Sequence, residues 1–142
     1  MAKIIAIDFG TRRCGIAETD DLQIIASALT TVDTSEIYSF LDTYCAKNNV
    51  EAAVVGLPVR MSGELSEVEE DILKFIRKFS AKHPSIRIER INEAFSSKRA
   101  MEAMIQSGAK KKKRREKGNL DKISATLILQ EYLENKRNKL KS

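Results

Sequence analysis

The chain contains few cysteine, histidine and aromatic residues, the residue types that form many metal, redox and stacking sites. Its 142 residues include two cysteines, one histidine and no tryptophan, and 6% of them are aromatic. Cys14 and Cys45 lack the paired spacing of zinc ligands or redox motifs, so both are expected to be reduced thiols. His83 stands before Pro84 at a predicted helix end and is expected at the surface, not as a catalytic base. Zinc and redox chemistry are therefore not expected.

Long apolar runs are also missing. No run approaches the roughly 20 residues that span a bilayer, and the first residues lack the charged region and apolar core of a targeting segment. We therefore expect a cytoplasmic protein with no membrane partner. At 42% hydrophobic residues the chain is long enough to bury a core, and no repeat or linker divides it. Residues 1–142 are predicted to form a single domain.

Positive charge is in excess, and much of it lies in one place. The net charge is +5, and six consecutive basic residues are Lys110, Lys111, Lys112, Lys113, Arg114 and Arg115. Because like charges repel, the segment near 109–118 is predicted to be a mobile loop that becomes ordered on a polyanion. A merely solvated loop is the alternative, but its place between two patterned helices favours phosphate binding. The run has no aromatic residue, so base stacking is not expected there.

Hydrophobic periodicity predicts an α/β fold. Strands are predicted at 3–9, 14–19, within 22–32, at 52–57 and at 86–91. The first three should form an antiparallel meander, and the others alternate with helices, which predicts a mixed five-stranded sheet flanked by helices. The predicted helix caps are Thr34 or Ser35, Ser66 with Glu69 as its capping-box partner, Ser96 or Ser97, and Asn119.

Three carboxylates fall at the ends of predicted elements. Asp8 stands where the first strand ends, Glu93 follows the last strand by two residues, and Asp121 is expected in the first turn of the final helix. A buried ionised carboxylate needs a cation, a metal or hydrogen bonds to compensate it. If these element ends share one edge of the sheet, the three acids face one pocket. Taken singly, each has a plainer alternative: a turn cap, a surface acid and a helix-dipole partner.

Three motifs resemble those of the YqgF family, and the likeness covers essentially the whole chain. The motifs are Asp8-Phe9-Gly10-Thr11-Arg12-Arg13-Cys14-Gly15-Ile16-Ala17, Val55-Gly56-Leu57-Pro58 with Gly63, and Asp121-Lys122-Ile123-Ser124-Ala125 with Ile128-Leu129-Gln130. These bacterial, Holliday-junction-resolvase-like proteins have a ribonuclease H-like fold and are assigned to pre-16S rRNA processing. The resemblance implies that fold here. It maps Asp8, Glu93 and Asp121 onto the family's three acidic active-site positions, and Arg13 onto its basic position.

The resemblance also implies a reaction, which is metal-dependent hydrolysis of RNA in 5′-end maturation of pre-16S rRNA. Asp8, Glu93 and Asp121 would be both catalytic residues and ligands of Mg²⁺ or Mn²⁺, with two ions acting on the water and the leaving oxygen. The partners would be precursor rRNA and ribosomal small-subunit particles, and the protein would be a monomer or homodimer. The expected nucleic-acid-binding residues are Thr11, Arg12, Arg13, Ser96, Lys110, Lys111, Lys112, Lys113, Arg114 and Arg115.

One motif departs from the family pattern. The family usually has Asp-Glu-Arg where this chain has Asn92-Glu93-Ala94, which removes an acid and a bidentate phosphate donor and predicts weaker or altered activity. The departure leaves open a non-catalytic RNA-binding ribosome-assembly factor. A Holliday-junction resolvase acting on four-way DNA also stays open, because the same metal chemistry supports it and a basic loop binds either nucleic acid. The first motif also resembles a phosphate motif of actin-like ATP-binding folds, but these need a second domain and a later glycine-rich loop.

Overall fold

The strands and helices follow the predicted order. The structure, a computed structural model, describes residues 2–58, 67–92 and 117–141, and describes the backbone only of residues 92, 117–122 and 138–141. The elements in these ranges are β1 Lys3–Phe9, β2 Arg13–Thr19, β3 Ala26–Asp33, a 3₁₀ turn Thr34–Glu36, α1 Ile37–Lys47, β4 Val50–Leu57, α2 Val68–Lys82, β5 Arg87–Asn92 and α3 Lys117–Lys141. The α/β prediction is confirmed.

The five strands form one mixed sheet in the order β3-β2-β1-β4-β5. β2 is antiparallel to both β1 and β3, whereas β4 is parallel to both β1 and β5. The predicted meander followed by parallel strands is therefore confirmed. β1 lies in the middle of the sheet, with a hydrogen-bonded strand on each side.

Each face of the sheet carries its own hydrophobic core. Side chains alternate between the faces along a strand, and β1 and β4 are apolar almost throughout because both of their faces are covered. On one face α1 and α2 pack over a core that includes Ile5, Ile7, Ile16, Ile37, Leu41, Val55, Phe75 and Phe79. On the other face α3 packs over a core of Ile4, Ala6, Ala17, Ala52, Val54, Ala125, Ile128, Leu129 and Leu133.

α3 runs antiparallel to β1. Near its C-terminal end, Lys136 donates to the Gln23 side chain at 3.2 Å and Arg137 donates to the Ile24 carbonyl at 2.7 Å. Gln23 in turn donates to the carbonyl of Ala2 at 2.8 Å, directly before β1 begins. These contacts hold the C-terminal half of α3 beside the start of β1. The N-terminal half of the helix therefore points toward the end of β1.

The predicted cap of α1 is wrong, and the predicted capping-box partner of α2 has another partner, because tertiary contacts use the same side chains. The residues at the two helix N-caps, Glu36 for α1 and Glu67 for α2, make no side-chain capping hydrogen bond. The hydroxyl of Thr34 donates to the Gly10 carbonyl at 2.7 Å, and α1 begins only after the 3₁₀ turn. Glu69 forms an ion pair with Arg90, with N and O 2.6 Å apart. Ser66, Ser96 and Ser97 lie outside the described residues.

The start of α3 also differs from the prediction. The helix begins at Lys117, so Asn119 is inside it and is not its cap. Asp121 consequently lies in the second turn, not the first. The predicted loop near 109–118 is wrong at Lys117 and Gly118, which are helical, and its other residues lie outside the described ranges. A long helix tolerates one glycine near its end at a cost of about 1 kcal/mol.

The two cysteines and the single histidine all lie in the described part of the chain. Neither Cys14 nor Cys45 forms a disulfide, as expected of reduced thiols. No helix in the described part of the chain has the length and apolar character needed to cross a membrane. His83 ends α2 with its side chain one-fifth exposed and 2.9 Å from Asp42. Its hydrogen bond is the main reason that the pKa of Asp42 is lowered.

Candidate functional site

Asp8 is the acidic residue around which the candidate site is built. It is the penultimate residue of β1 and is half-buried. Because Ile4 and Ala6 face α3, strand alternation puts Asp8 on the same face of the sheet. The predicted position at the end of a buried strand is therefore confirmed. His83, by contrast, precedes β5 and lies at the opposite edge of the sheet.

Glycines flank Asp8 in both neighbouring strands. The β1–β2 register pairs Asp8 with Gly15. The β1–β4 register pairs Ile7 with Val55, so the next residue along puts Gly56 beside Asp8 on the other side. Paired residues share a face of the sheet. The Asp8 carboxylate therefore has no side chain from either adjacent strand at its own level, which leaves room for a cation or a phosphate group.

Glu93 lies outside the described residues, but β5 shows where the chain is heading. Gly56 pairs with Ile91, so Ile91 is at the level of Asp8. The two residues are two strands apart, or about 10 Å. Ile91 packs into the core beneath α3, on the same face as Asp8. Glu93 follows Ile91 by two residues, and β5 ends between them at Asn92.

The backbone position of Asp121 approaches the same edge. The hydroxyl of Tyr132 accepts from Arg87 at 3.3 Å, which fixes α3 beside the start of β5. Asp121 lies eleven residues earlier in α3, about 16 Å along the helix axis. The six residues of β5 cover about 17 Å from Arg87 to Asn92. Asp121 is also one turn before the buried Ala125, so its helical position reaches the sheet edge where β1 and β5 end.

The β1–β2 turn carries three of the predicted nucleic-acid-binding residues next to Asp8. Thr11 and Arg12 are exposed, and Arg13 begins β2 half-buried. Thr34 holds this turn in place, since its backbone N–H donates to the Arg12 carbonyl at 2.9 Å and its hydroxyl donates to the Gly10 carbonyl. This fixed turn, residues 10–13, therefore presents both arginines at the edge of the sheet that contains Asp8. We call it the arginine turn.

Gly10 is required for the close approach of the chain in this turn. A Cβ atom at this position would lie 2.5 Å from the backbone carbonyl oxygen of Arg13, a contact that only a backbone shift relieves. We expect Gly10→Ala to lower the free energy of unfolding by about 1–3 kcal/mol. Urea denaturation measures this change. Arg12→Ala is the control, since an exposed side chain should change stability by less than about 0.5 kcal/mol, and equal losses in the two variants would contradict the steric argument.

The remaining predicted site residues are not described. They are Ser96, Lys110, Lys111, Lys112, Lys113, Arg114 and Arg115. No cluster of three or more His, Cys, Asp or Glu side chains that could hold a metal ion occurs among the described side chains, which include Asp8 but neither Glu93 nor Asp121. The metal site therefore stays a prediction. The structure brings together Asp8, the arginine turn and the backbone positions at Asn92, directly before Glu93, and at Asp121.

Sequence reasoning missed a clamp formed by Arg90 and Glu69. The guanidinium of Arg90 meets both carboxylate oxygens of Glu69, at 3.1 and 2.6 Å. It also donates to the carbonyls of Val55 and Gly56, at 3.0 and 3.1 Å. The clamp ties α2 and β5 to the end of β4, where Gly56 flanks Asp8. Only an arginine in a strand that alternates apolar and charged residues could have indicated it.

Comparisons with known proteins agree with this architecture. The sequence profile of the RuvX family, described as Holliday junction resolvase, matches residues 2–135. A protein of Christiangramia forsetii is 49% identical over 94% of this chain and 98% of its own length, and one of Flavobacterium johnsoniae is 47% identical over 96% and 99%. Both are named "Putative pre-16S rRNA nuclease", as is a relative from Bacteroides thetaiotaomicron that is 46% identical over 96% of this chain and 99% of its own.

Solved structures show the same fold at low sequence identity. The fowlpox virus resolvase, in complex with its substrate Holliday junction DNA, has a TM-score of 0.61 at 14% identity, over 94% of this chain and 97% of that one. A second structure of the fowlpox virus Holliday junction resolvase gives 0.54 at 14% identity, over 94% and 99%. The expected ribonuclease H-like fold is confirmed.

Proposed function

Because the chain belongs to the RuvX family, we propose that it is a nuclease that matures the 5′ end of pre-16S rRNA. RuvX is another name for the YqgF family, whose motifs the sequence resembles. Relatives of nearly the same length are named "Putative pre-16S rRNA nuclease". The observation that supports it most directly is the position of Asp8, at the end of the central strand, between two glycines and beside an arginine turn. An acid flanked by glycines and next to two arginines suits a metal-assisted attack on a phosphodiester.

The residues of this edge fit a divalent cation. Carboxylate oxygens are the ligands that Mg²⁺ and Mn²⁺ prefer, and we propose that Asp8, Glu93 and Asp121 hold such ions as catalytic residues. When bound, the ions activate the attacking water and stabilise the leaving oxygen. Arg12 and Arg13 would bind phosphates on either side of the cleaved bond, as would Thr11 and Ser96 through their hydroxyls.

The substrate is tested by offering the alternatives side by side. Wild-type protein is incubated with a 5′-extended 16S rRNA precursor, a single-stranded RNA and a four-way DNA junction, each with Mg²⁺, Mn²⁺ or chelator. We expect metal-dependent cutting of the precursor at its 5′ extension. Cutting of the junction alone, symmetrically and by a stable homodimer, would instead favour the resolvase that the family description and the structural neighbours suggest. Tight RNA binding without any cutting would favour an assembly factor.

The cellular setting follows from the proposed substrate. Precursor 16S rRNA is bound by ribosomal proteins as it matures, so we propose small-subunit particles in the cytoplasm as the place of action. Cutting of precursor rRNA within such particles, and not as naked RNA, would show that the partner is the particle.

Salt dependence tests the proposed role of the basic run in RNA binding. Each phosphate contact made by a lysine or arginine releases counterions, so binding weakens with salt in proportion to the number of contacts. Replacing Lys111, Lys112, Arg114 and Arg115 together by alanine should reduce the slope of log affinity against log salt by about 3 for single-stranded RNA. Fluorescence anisotropy from low to high salt measures this slope.

The matched control replaces four basic residues at the other end of the sheet or on α2. These are Lys47, Arg77, Arg87 and Arg137, all of which the proposal leaves out of the binding surface. A control slope close to that of the wild type supports the assignment. An unchanged slope in the first variant would remove residues 110–115 from the RNA-binding surface.

A further inference from the structure

A cleft opens on the face of the sheet opposite Asp8, at the same edge. It has a volume of 320 Å³ and is lined by Phe9, Thr11, Thr34, Ile37, Tyr38, Asp71, Lys74 and Phe75; we refer to it as the base cleft. Its lining comes from the end of β1, the β1–β2 turn, the 3₁₀ turn, the start of α1 and the first half of α2. The volume is at the low end for small-molecule sites, which suits one ring system with its sugar.

The interior of the base cleft is aromatic. The ring centroid of Phe75 lies 5.2 Å from that of Phe9 and 5.6 Å from that of Tyr38. Phe75 is buried at the bottom, whereas Phe9 and Tyr38 are half-buried and form the walls. Burial raises the pKa of the Tyr38 phenol, so it stays neutral and able to donate a hydrogen bond. A flat apolar ring is the ligand that such walls pack against best.

The rim adds one acceptor group and one cation. Asp71 and Lys74 lie one turn apart on α2, are both exposed, and both line the cleft. Among the described side chains, neither forms an ion pair within 4 Å. Further positive charge follows along α2, where the Nζ atoms of Lys78 and Lys82 lie 4.9 and 5.5 Å from the Tyr38 ring centroid. These lysines would also attract the polyanionic backbone attached to a base that is bound in the cleft.

The base cleft is continuous with the candidate site through β1. Phe9 follows Asp8 directly, and their side chains point to opposite faces of the sheet. Thr11 belongs both to the cleft and to the turn proposed to bind phosphates. A strand of RNA that passes Asp8 at this edge can therefore place a neighbouring unpaired base on the other face, in the cleft.

We propose that the base cleft binds an unpaired guanine of the RNA substrate. This proposal rests on the proposed function, because it takes its ligand from the same RNA. Guanine is the base whose Watson–Crick edge places two adjacent donors, N1–H and the N2 amino group, beside an acceptor, O6. The Asp71 carboxylate accepts from both donors, and the Lys74 ammonium donates to O6. Adenine and the pyrimidines lack two adjacent donors, so they leave the carboxylate only partly satisfied.

Inosine isolates the contact on which the proposal depends, because it differs from guanosine only by the missing N2 amino group. Oligouridine RNAs with a single central guanosine, inosine or adenosine are titrated with protein in chelator at fixed salt, and affinity is read by fluorescence anisotropy. Wild-type protein should bind the guanosine RNA about tenfold more tightly than the inosine RNA. In Asp71→Asn the preference should fall below about twofold, because an amide offers only one acceptor oxygen.

Glu70→Gln is the matched control, since Glu70 is the preceding exposed acid of α2 and does not line the cleft. It should keep the full guanosine preference. Lys74→Met tests the second contact. Both guanosine and inosine carry O6, so the loss of its donor should weaken binding of the two RNAs by the same factor. Asp71 and Lys74 are both exposed, so these variants should unfold at the wild-type temperature.

Several outcomes would overturn the assignment. Equal affinities of wild-type protein for the guanosine and inosine RNAs would reject the base cleft, even if precursor rRNA is still cut. An equal loss of preference in Glu70→Gln and Asp71→Asn would reject the role of Asp71. Binding of free guanosine monophosphate without a guanosine preference in RNA would make the cleft a mononucleotide site. A guanosine preference without cleavage in any metal would keep the cleft and reject the nuclease.

Discussion

Asp8→Asn should reduce RNA cleavage at least about a thousandfold, with the fold and the RNA affinity nearly unchanged. Asparagine keeps the shape of the side chain but loses the charge that a divalent cation needs. The position is half-buried and lies between Gly15 and Gly56, so the amide meets no new steric contact. RNA affinity should persist because the proposed phosphate contacts come from the arginine turn and the basic run. Initial cleavage rates and anisotropy titrations on the same preparation measure both quantities.

Asp20→Asn is the matched control for this variant. Asp20 follows β2 at the opposite edge of the sheet, where its carboxylate accepts from the backbone N–H groups of Ile25 and Ile24, at 2.9 and 2.8 Å. These bonds lower the pKa of Asp20. The same substitution there should leave the cleavage rate within about twofold of wild type. Retained cleavage by Asp8→Asn would disprove the metal-site assignment, and an equal loss in both variants would point to a general effect of the substitution.

Arg90→Met should lower the free energy of unfolding by about 3 kcal/mol, because it leaves Glu69 without its partner. Glu69 is only 7% exposed, and truncating one member of a buried pair strands the other charge. The carbonyls of Val55 and Gly56 lose donors as well. Since Gly56 flanks Asp8, the cleavage rate of the folded variant should fall too. Urea denaturation and initial rates separate the two effects.

Two further variants are the controls for Arg90→Met. Arg87→Met, in the same strand, breaks a 2.7 Å ion pair with Glu89 and a 3.3 Å hydrogen bond to the Tyr132 hydroxyl. Both contacts are at the surface, and the Arg87 and Glu89 side chains are more than one-third exposed, so the change should cost less than about 1 kcal/mol. The double variant Glu69→Leu, Arg90→Met removes both charges and should recover most of the lost stability. If Arg90→Met cost no more than Arg87→Met, the clamp would be no stronger than a surface pair.

The sheet could be predicted from the sequence because its pattern is local. The apolar runs of β1 and β4 show burial on both faces, and the alternation in β5 shows one buried face. The antiparallel meander followed from the short turns between its strands, and the mixed sheet followed from the helices between the later strands. The face that Asp8 occupies also follows from period-two alternation, given Ile4 and Ala6.

The helix starts could not be predicted, because capping side chains had competing partners at long range. Thr34 holds Gly10 and Arg12 of the β1–β2 turn instead of capping α1, and Glu69 pairs with Arg90 instead of capping α2. Both contacts join segments more than twenty residues apart in the chain. A local capping motif carries no information about such partners.

One part of the candidate site could likewise be predicted from local sequence, and the other part depends on long-range contacts. Asp8 and its arginine turn are consecutive in the chain and could be recognised as a motif. The glycine on each side of Asp8 comes from a different strand, and the base cleft is assembled from three separate segments of the chain. The register of the sheet decides these neighbours, and register depends on all five strands together. Glu93 and Asp121 stay assigned by resemblance, since their side chains are not described.

The central position of β1 also governs how the protein responds to sequence change. β1 is hydrogen-bonded on both sides and covered on both faces, so it can open only when the whole sheet comes apart. A mutation in a distant helix therefore changes how many molecules are folded at a given moment, while each folded molecule keeps Asp8 in place. Over evolutionary time the outer elements can therefore change in sequence mainly at the expense of abundance, except at the positions that form the clamp, the base cleft and the proposed metal and RNA sites.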